Sequence, residues 1–174
     1  MSVELLKEIV VKVSASDGIN SISGSGVITK NRDGDYFIIT AEHCINGKID
    51  TRLKDIVREN ITVQYKFNNG DTFKNIIVSD ILFCDEQQDI AILSIAPLNG
   101  QSDNVIYSKL NNESDCNGIN FRGFPKWLIK KDEAKTFDCK IDEVDSVTFI
   151  IKSDEIKDLS LEKSISETSS GLSG

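Results

Sequence analysis

The chain has 174 residues, 39% of them hydrophobic and 28% charged, the balance of a globular protein with room for one domain or two small halves packed together. Its formal net charge of -8 argues against a broad basic surface for nucleic-acid phosphates or an anionic membrane. No stretch approaches the roughly 20 consecutive apolar residues that span a bilayer.

At the N-terminus Glu4, Lys7 and Glu8 interrupt the apolar residues, which leaves no apolar run of the secretory type. The segment around Val10 and Val11 is rich in β-branched side chains and predicts a first strand over residues 9–13. Gly26-Val27-Ile28-Thr29 and Tyr36-Phe37-Ile38-Ile39-Thr40 bracket the turn-forming run Asn31 to Asp35, a hairpin signature. Residues 49–59 set Ile49, Leu53, Ile56 and Val57 on one side of a short helix, or else form a surface excursion. Ile61 to Phe67 alternates with period two, turns at Asn68-Asn69-Gly70-Asp71 and resumes at Thr72-Phe73. Residues 76–83 and 90–95 are further apolar runs, and a polar connector at 99–117 precedes candidate strands at 119–124, 136–141 and 146–151. Many short strands with turn chemistry between them predict an all-β antiparallel sandwich or barrel.

Four cysteines, Cys44, Cys84, Cys116 and Cys139, are scattered with no C-x-x-C pair. With a single histidine in the chain, that spacing does not suit a zinc site, and we expect no metal and no cofactor. The cysteines read as reduced thiols in a cytoplasmic protein.

That one histidine, His43, directly follows an apolar strand. An imidazole ordinarily titrates near pH 6.5, which suits proton transfer at neutral pH. A histidine base needs a partner to fix its tautomer, and Asp89 stands at the head of the apolar run Ile90 to Ile95. Asp89 also reads as a simple strand-initiating turn residue. Ser173 lies between Gly171 and Gly174, where a tight turn could aim backbone N–H groups at a developing oxyanion. On composition alone the same stretch reads as a flexible Gly/Ser tail.

Together these segments resemble the trypsin-like (chymotrypsin-fold) serine protease family, in its histidine, aspartate, serine order. Gly24-Ser25-Gly26-Val27-Ile28 followed by Thr40-Ala41-Glu42-His43-Cys44 is similar to the strand pair leading into the family's base, usually T-A-A-H-C. Asp89-Ile90-Ala91-Ile92-Leu93 is similar to the aspartate strand, and Gly171-Leu172-Ser173-Gly174 to the G-x-S-G nucleophile loop. Gly123-Phe124-Pro125 is similar to a turn early in the second barrel of many bacterial members.

The resemblance implies two antiparallel Greek-key β-barrels. Residues 1–100 would form the first, carrying His43 and Asp89; 101–117 would connect; 118–174 would form part of the second, carrying Ser173. It implies a serine endopeptidase in which Ser173 attacks, His43 moves the proton and Asp89 holds the imidazole, with the N–H groups of Gly171 and Ser173 as oxyanion hole. The substrate would be a protein or peptide. Glu167 falls near the floor of the specificity pocket, where an acid would select Lys or Arg.

Departures from the family refine the expectation. Leu172 stands where digestive members carry an aspartate that pairs with a newly released N-terminal amine, so activation by N-terminal trimming is not expected. The usual disulfide partner of Cys44 falls at Ser23, so no disulfide is expected there. Family members continue well past the nucleophile, whereas this chain stops one residue after Ser173. We therefore expect a piece of a larger, unexported bacterial-type protein, regulated by other domains or partner subunits and placed in antiviral defence. The competing expectation is a catalytically silent protease-fold binding module.

Overall fold

Period-two burial builds the first sheet. In β1 (Val10–Ser16) the side chains of Val11, Val13 and Ala15 are buried while Lys12, Ser14 and Ser16 are not, because successive residues of a strand face opposite sides. The same alternation recurs in β3 (Tyr36–Thr40), where Tyr36, Ile38 and Thr40 point inward, and in β7 (Ile90–Ile95), where Ala91, Leu93 and Ile95 do. This computed structural model describes residues 9–48, 52–54, 56–66, 73–96, 119–124, 134–144 and 149–152. The remaining strands are β2 (Ser21–Lys30), β4 (Ile61–Lys66), β5 (Phe73–Ile76), β6 (Val78–Asp85), β8 (Ile119–Gly123), β9 (Lys135–Val144) and β10 (Phe149–Lys152).

Two antiparallel sheets result, one of seven strands in the order β5-β4-β1-β2-β3-β7-β6 and one of three in the order β10-β9-β8. The first sheet is rolled onto itself. Its two edge strands, β5 and β6, are separated in the chain by Ile77 alone, so one bent stretch lines both edges. Inside lies a single apolar cluster that includes Val11, Val13, Ile28, Ile38, Ile45, Val63 and Leu93, all fully buried.

Most of the expected strands form, and the differences have physical causes. β2 starts five residues before the expected Gly26. Its first half, Ser21 to Ser25, has little apolar periodicity but pairs with β1 from Ser16↔Ser21 onward, and the Ser14 and Ser23 hydroxyls meet at 2.8 Å. The helix expected over residues 49–59 is not the form taken by the described part of that segment. Val57 is extended and only Arg58–Asn60 makes a 3-10 turn, while Leu53 tucks into the core and Ile56 packs against it. β-Branched residues in a segment too short to nucleate do not hold an α-helix against such packing. Residues 67–72 and the expected connector at 99–117 lie outside the described residues.

Gly26 sits where strands approach closely, opposite Val11 on one side and Thr40 on the other. A Cβ there would lie 2.8 Å from Ile38 Cγ2, 3.0 Å from Val13 Cγ2 and 3.1 Å from the Ile39 carbonyl oxygen. Removing a strand glycine ordinarily gains about 0.5–1 kcal/mol of backbone entropy, but overpacking a core costs roughly 1–3 kcal/mol. The clash wins. Gly26→Ala is expected to lower stability by about 1 kcal/mol, near the middle of the roughly 0–2.5 kcal/mol that the difference of those two terms spans, read as a lower urea midpoint; a raised midpoint would contradict the packing.

Candidate active site

His43 opens a one-turn helix, α1 (His43–Asn46), directly after β3. Cys44 and Ile45 of that turn are buried, as are Ala41 and Glu42 before it, which anchors the backbone on both sides of the imidazole's own residue. Gly47 closes the turn with a φ of 83°, its N–H donating to the His43 carbonyl, a left-handed conformation that suits glycine.

Asp89 arrives from the other side of β3. β6 and β7 form a hairpin whose last pair is Asp85↔Ile90, leaving residues 86–89 as the turn. Asp85 Oδ1 accepts the N–H groups of Gln87 (2.8 Å) and Gln88 (2.9 Å), stapling that turn. Asp89 itself has a φ of 53°, the only positive value at a non-glycine among the described residues. Aspartate tolerates this region better than most residues.

These two elements bring base and acid together. Asp89 Oδ2 lies 2.7 Å from His43 Nδ1, and Oδ1 lies 3.0 Å from the same nitrogen and accepts the His43 backbone N–H at 3.0 Å. A carboxylate so placed requires the proton on Nδ1, because an unprotonated Nδ1 would face it with a lone pair. Nε2 is then left with its lone pair, as a base requires. The side chains are 18% and 47% exposed respectively. A pair that open to water is worth about 0–1 kcal/mol of stability. Its consequence is orientation.

Cys44, immediately after the histidine, is a buried thiol that takes part in no disulfide. Burial pushes its pKa up, against a hydrogen bond with the Thr40 side chain that pulls the other way. It stays a protonated core group and is no candidate nucleophile. Cys84 is free and exposed, and partial burial raises its pKa as well.

Glu42 is a feature that sequence reasoning passed over. It stands where the family pattern has alanine, directly before His43, and is only 3% exposed. Its Oε1 accepts Asn46 Nδ2 at 2.7 Å and Arg52 Nη2 at 3.2 Å. The other guanidinium arm, Nη1, reaches Glu86 Oε1 at 2.6 Å.

Ser25 is a second such feature, joining the two sheets behind the site. It is 3% exposed; its carbonyl accepts the Thr40 hydroxyl and its Oγ accepts the Phe124 N–H, both at 2.8 Å. Phe124 packs with Ile9 and Val10 in a small separate core, against Val27 and Ala134. Thus the Gly123-Phe124 turn docks on the strand that leads towards the histidine. Ser173, Gly171, Leu172 and Glu167 lie outside the described residues, as do the proposed domain limits at 100, 117 and 118. Among the described residues no helix is long and apolar enough to cross a membrane.

No protein-family model matches the chain, and no curated protein does either. Solved structures do. The Rv3671c protease from M. tuberculosis in its active form superposes with a TM-score of 0.54 at 15% identity, covering 87% of this chain and 59% of that one. A serine endoprotease from Yersinia pestis gives 0.53 at 19%, covering 83% and 45%. The scabies mite inactivated protease paralogue S-I1 gives 0.53 at 20%, covering 80% and 64%. The chain has the chymotrypsin-type, trypsin-like serine protease fold. It is an all-β fold with a rolled first sheet and a smaller second one, and the chain spans about half to two thirds of the length of these structures. One of them is described as inactivated, so the fold by itself decides nothing about chemistry; the site must.

Proposed function

We propose that this chain belongs to a serine endopeptidase that cleaves peptide bonds through an acyl-enzyme. The observation that carries the reading is the contact between His43 Nδ1 and the Asp89 carboxylate at 2.7 Å, reinforced by the His43 backbone N–H on the same carboxylate. A histidine held in that tautomer can take a hydroxyl proton through Nε2 and later return it to the leaving amine. Ser173 supplies the hydroxyl in this reading. Its oxygen attacks the scissile carbonyl, the N–H groups of Gly171 and Ser173 stabilise the oxyanion, and water then releases the acyl group. Glu167 selects basic residues at the cleaved bond.

A fluorophosphonate probe tests this directly, because it labels only an activated serine. The wild-type chain is expected to take the label at Ser173, and Ser173→Ala and His43→Ala to take none while keeping the wild-type circular-dichroism spectrum. Undiminished labelling in either variant would overturn the assignment. A folded wild type that takes no label would favour the competing reading, a protease fold used for binding.

A further inference from the structure

We infer that Arg52 is a positioning residue that clips the turn carrying the aspartate to the segment carrying the histidine. The inference rests on the peptidase reading only for its effect on rate; the geometry stands without it. Glu42 is the neighbour of His43, and Glu86 belongs to the same four-residue turn as Asp89. One guanidinium bonds both, through Nη2 to Glu42 and Nη1 to Glu86. The two segments are therefore joined twice, by the His43–Asp89 bond and by this bridge beside it.

Arg52 is itself fixed. The next residue, Leu53, is buried in the first core and donates its backbone N–H to the Asn46 carbonyl at 2.7 Å. The bridge is thus pinned to α1 at its middle, to the residue before His43 at one end and to the Asp89 turn at the other.

Magnitudes say what such a bridge is for. Its outer leg is solvated, with Arg52 41% and Glu86 59% exposed, and an ion pair of that kind adds little to global stability. Its inner leg neutralises Glu42, a carboxylate that burial would otherwise make costly. Holding a buried acid beside the histidine and spending its counter-ion on the aspartate's turn yields geometry rather than stability. A lysine could not replace it, since a single ammonium lacks two nitrogens spaced to meet two carboxylates in fixed directions.

The test reads the ring and not the reaction. His43 is the only histidine, so the two-bond proton–nitrogen NMR spectrum of imidazole shows a single ring, whose nitrogen shifts report the tautomer. In the full chain, at a pH where the ring is neutral, the wild type is expected in the Nδ1–H form. Glu86→Ala cuts only the exposed leg and leaves Glu42 paired, so it carries little folding risk; Arg52→Lys keeps the charge but loses the second contact. Both are expected to shift population towards the Nε2–H tautomer, and to lower the fluorophosphonate labelling rate by roughly 10-fold or more, in line with the sensitivity of catalysis to small misplacements. Arg58→Ala, which breaks the surface pair with Glu59, should leave the ring spectrum unchanged. Tautomer populations identical to wild type in folded Glu86→Ala and Arg52→Lys would overturn the clip. A ring that responds in a chain that takes no label would retain the clip and remove the peptidase reading.

Discussion

Asp89→Asn is expected to slow fluorophosphonate labelling by about 10⁴-fold, the loss produced when the aspartate of a serine-protease triad becomes an asparagine, while the fold stays intact. The backbone gives no reason for unfolding, since asparagine tolerates the left-handed φ of 53° at this position at least as well as aspartate. The amide oxygen can still accept the His43 N–H that Oδ1 accepts now. What changes lies opposite Nδ1, 2.7 Å from the carboxylate. An amide N–H₂ placed there donates, so the ring must turn Nδ1 into an acceptor and carry its proton on Nε2. A base already protonated on its working nitrogen cannot take a proton from serine. Because the pair is nearly half exposed on the aspartate side, the stability cost stays within about 1 kcal/mol. Labelling time courses and thermal melts on the same preparation separate the two effects. A labelling rate within tenfold of wild type would show that the His43–Asp89 contact has no part in activating a serine.

Legibility in the sequence follows the range of the interaction. Strand β4 is readable from its period-two alternation, and β1, β3 and β7 from β-branched or apolar runs, that of β3 bounded by turn residues. The first half of β2 is not readable, since its serines earn their place through cross-strand partners such as Ser14 and Ser23. Helix α1 escaped notice because four residues offer no helical period. The order of strands in the sheet, and the use of β5 and β6 as its two edges, depends on contacts between distant residues that no window of sequence contains. Of the candidate site, His43 and Asp89 were singled out by their positions beside apolar strands and by family pattern, and the structure brings them into contact across 46 residues. The Glu42–Arg52–Glu86 bridge left only one local trace, a glutamate where alanine is usual. Nothing in the chain between residues 42 and 86 links its three members, and an acid in that position reads as exposed until burial is known.

Leu93→Ala is expected to destabilise the chain by roughly 2–5 kcal/mol, the range for truncating a fully buried leucine. Leu93 has no exposed surface and stands directly across the β3–β7 pairing from Ile38, which also has none. Removing three carbons there takes away transfer energy and opens a cavity that two hydrogen-bonded strands are poorly able to close. Against a typical total of about 5–15 kcal/mol for a folded domain, that is a large share. The site feels it through register. Asp89 precedes β7 and His43 follows β3, so the Ile38–Leu93 pair sets how far along its neighbour each strand lies, and a slip of one residue would turn every buried side chain of β7 outward. Leu93→Met, which keeps the volume, should cost less than about 1.5 kcal/mol. Urea unfolding of the three proteins checks the expectation: the midpoint should fall steeply for alanine and slightly for methionine at a similar m-value. Equal midpoints for alanine and wild type would mean that β7 does not pack its leucine against β3, and that the register bringing Asp89 to His43 has another origin.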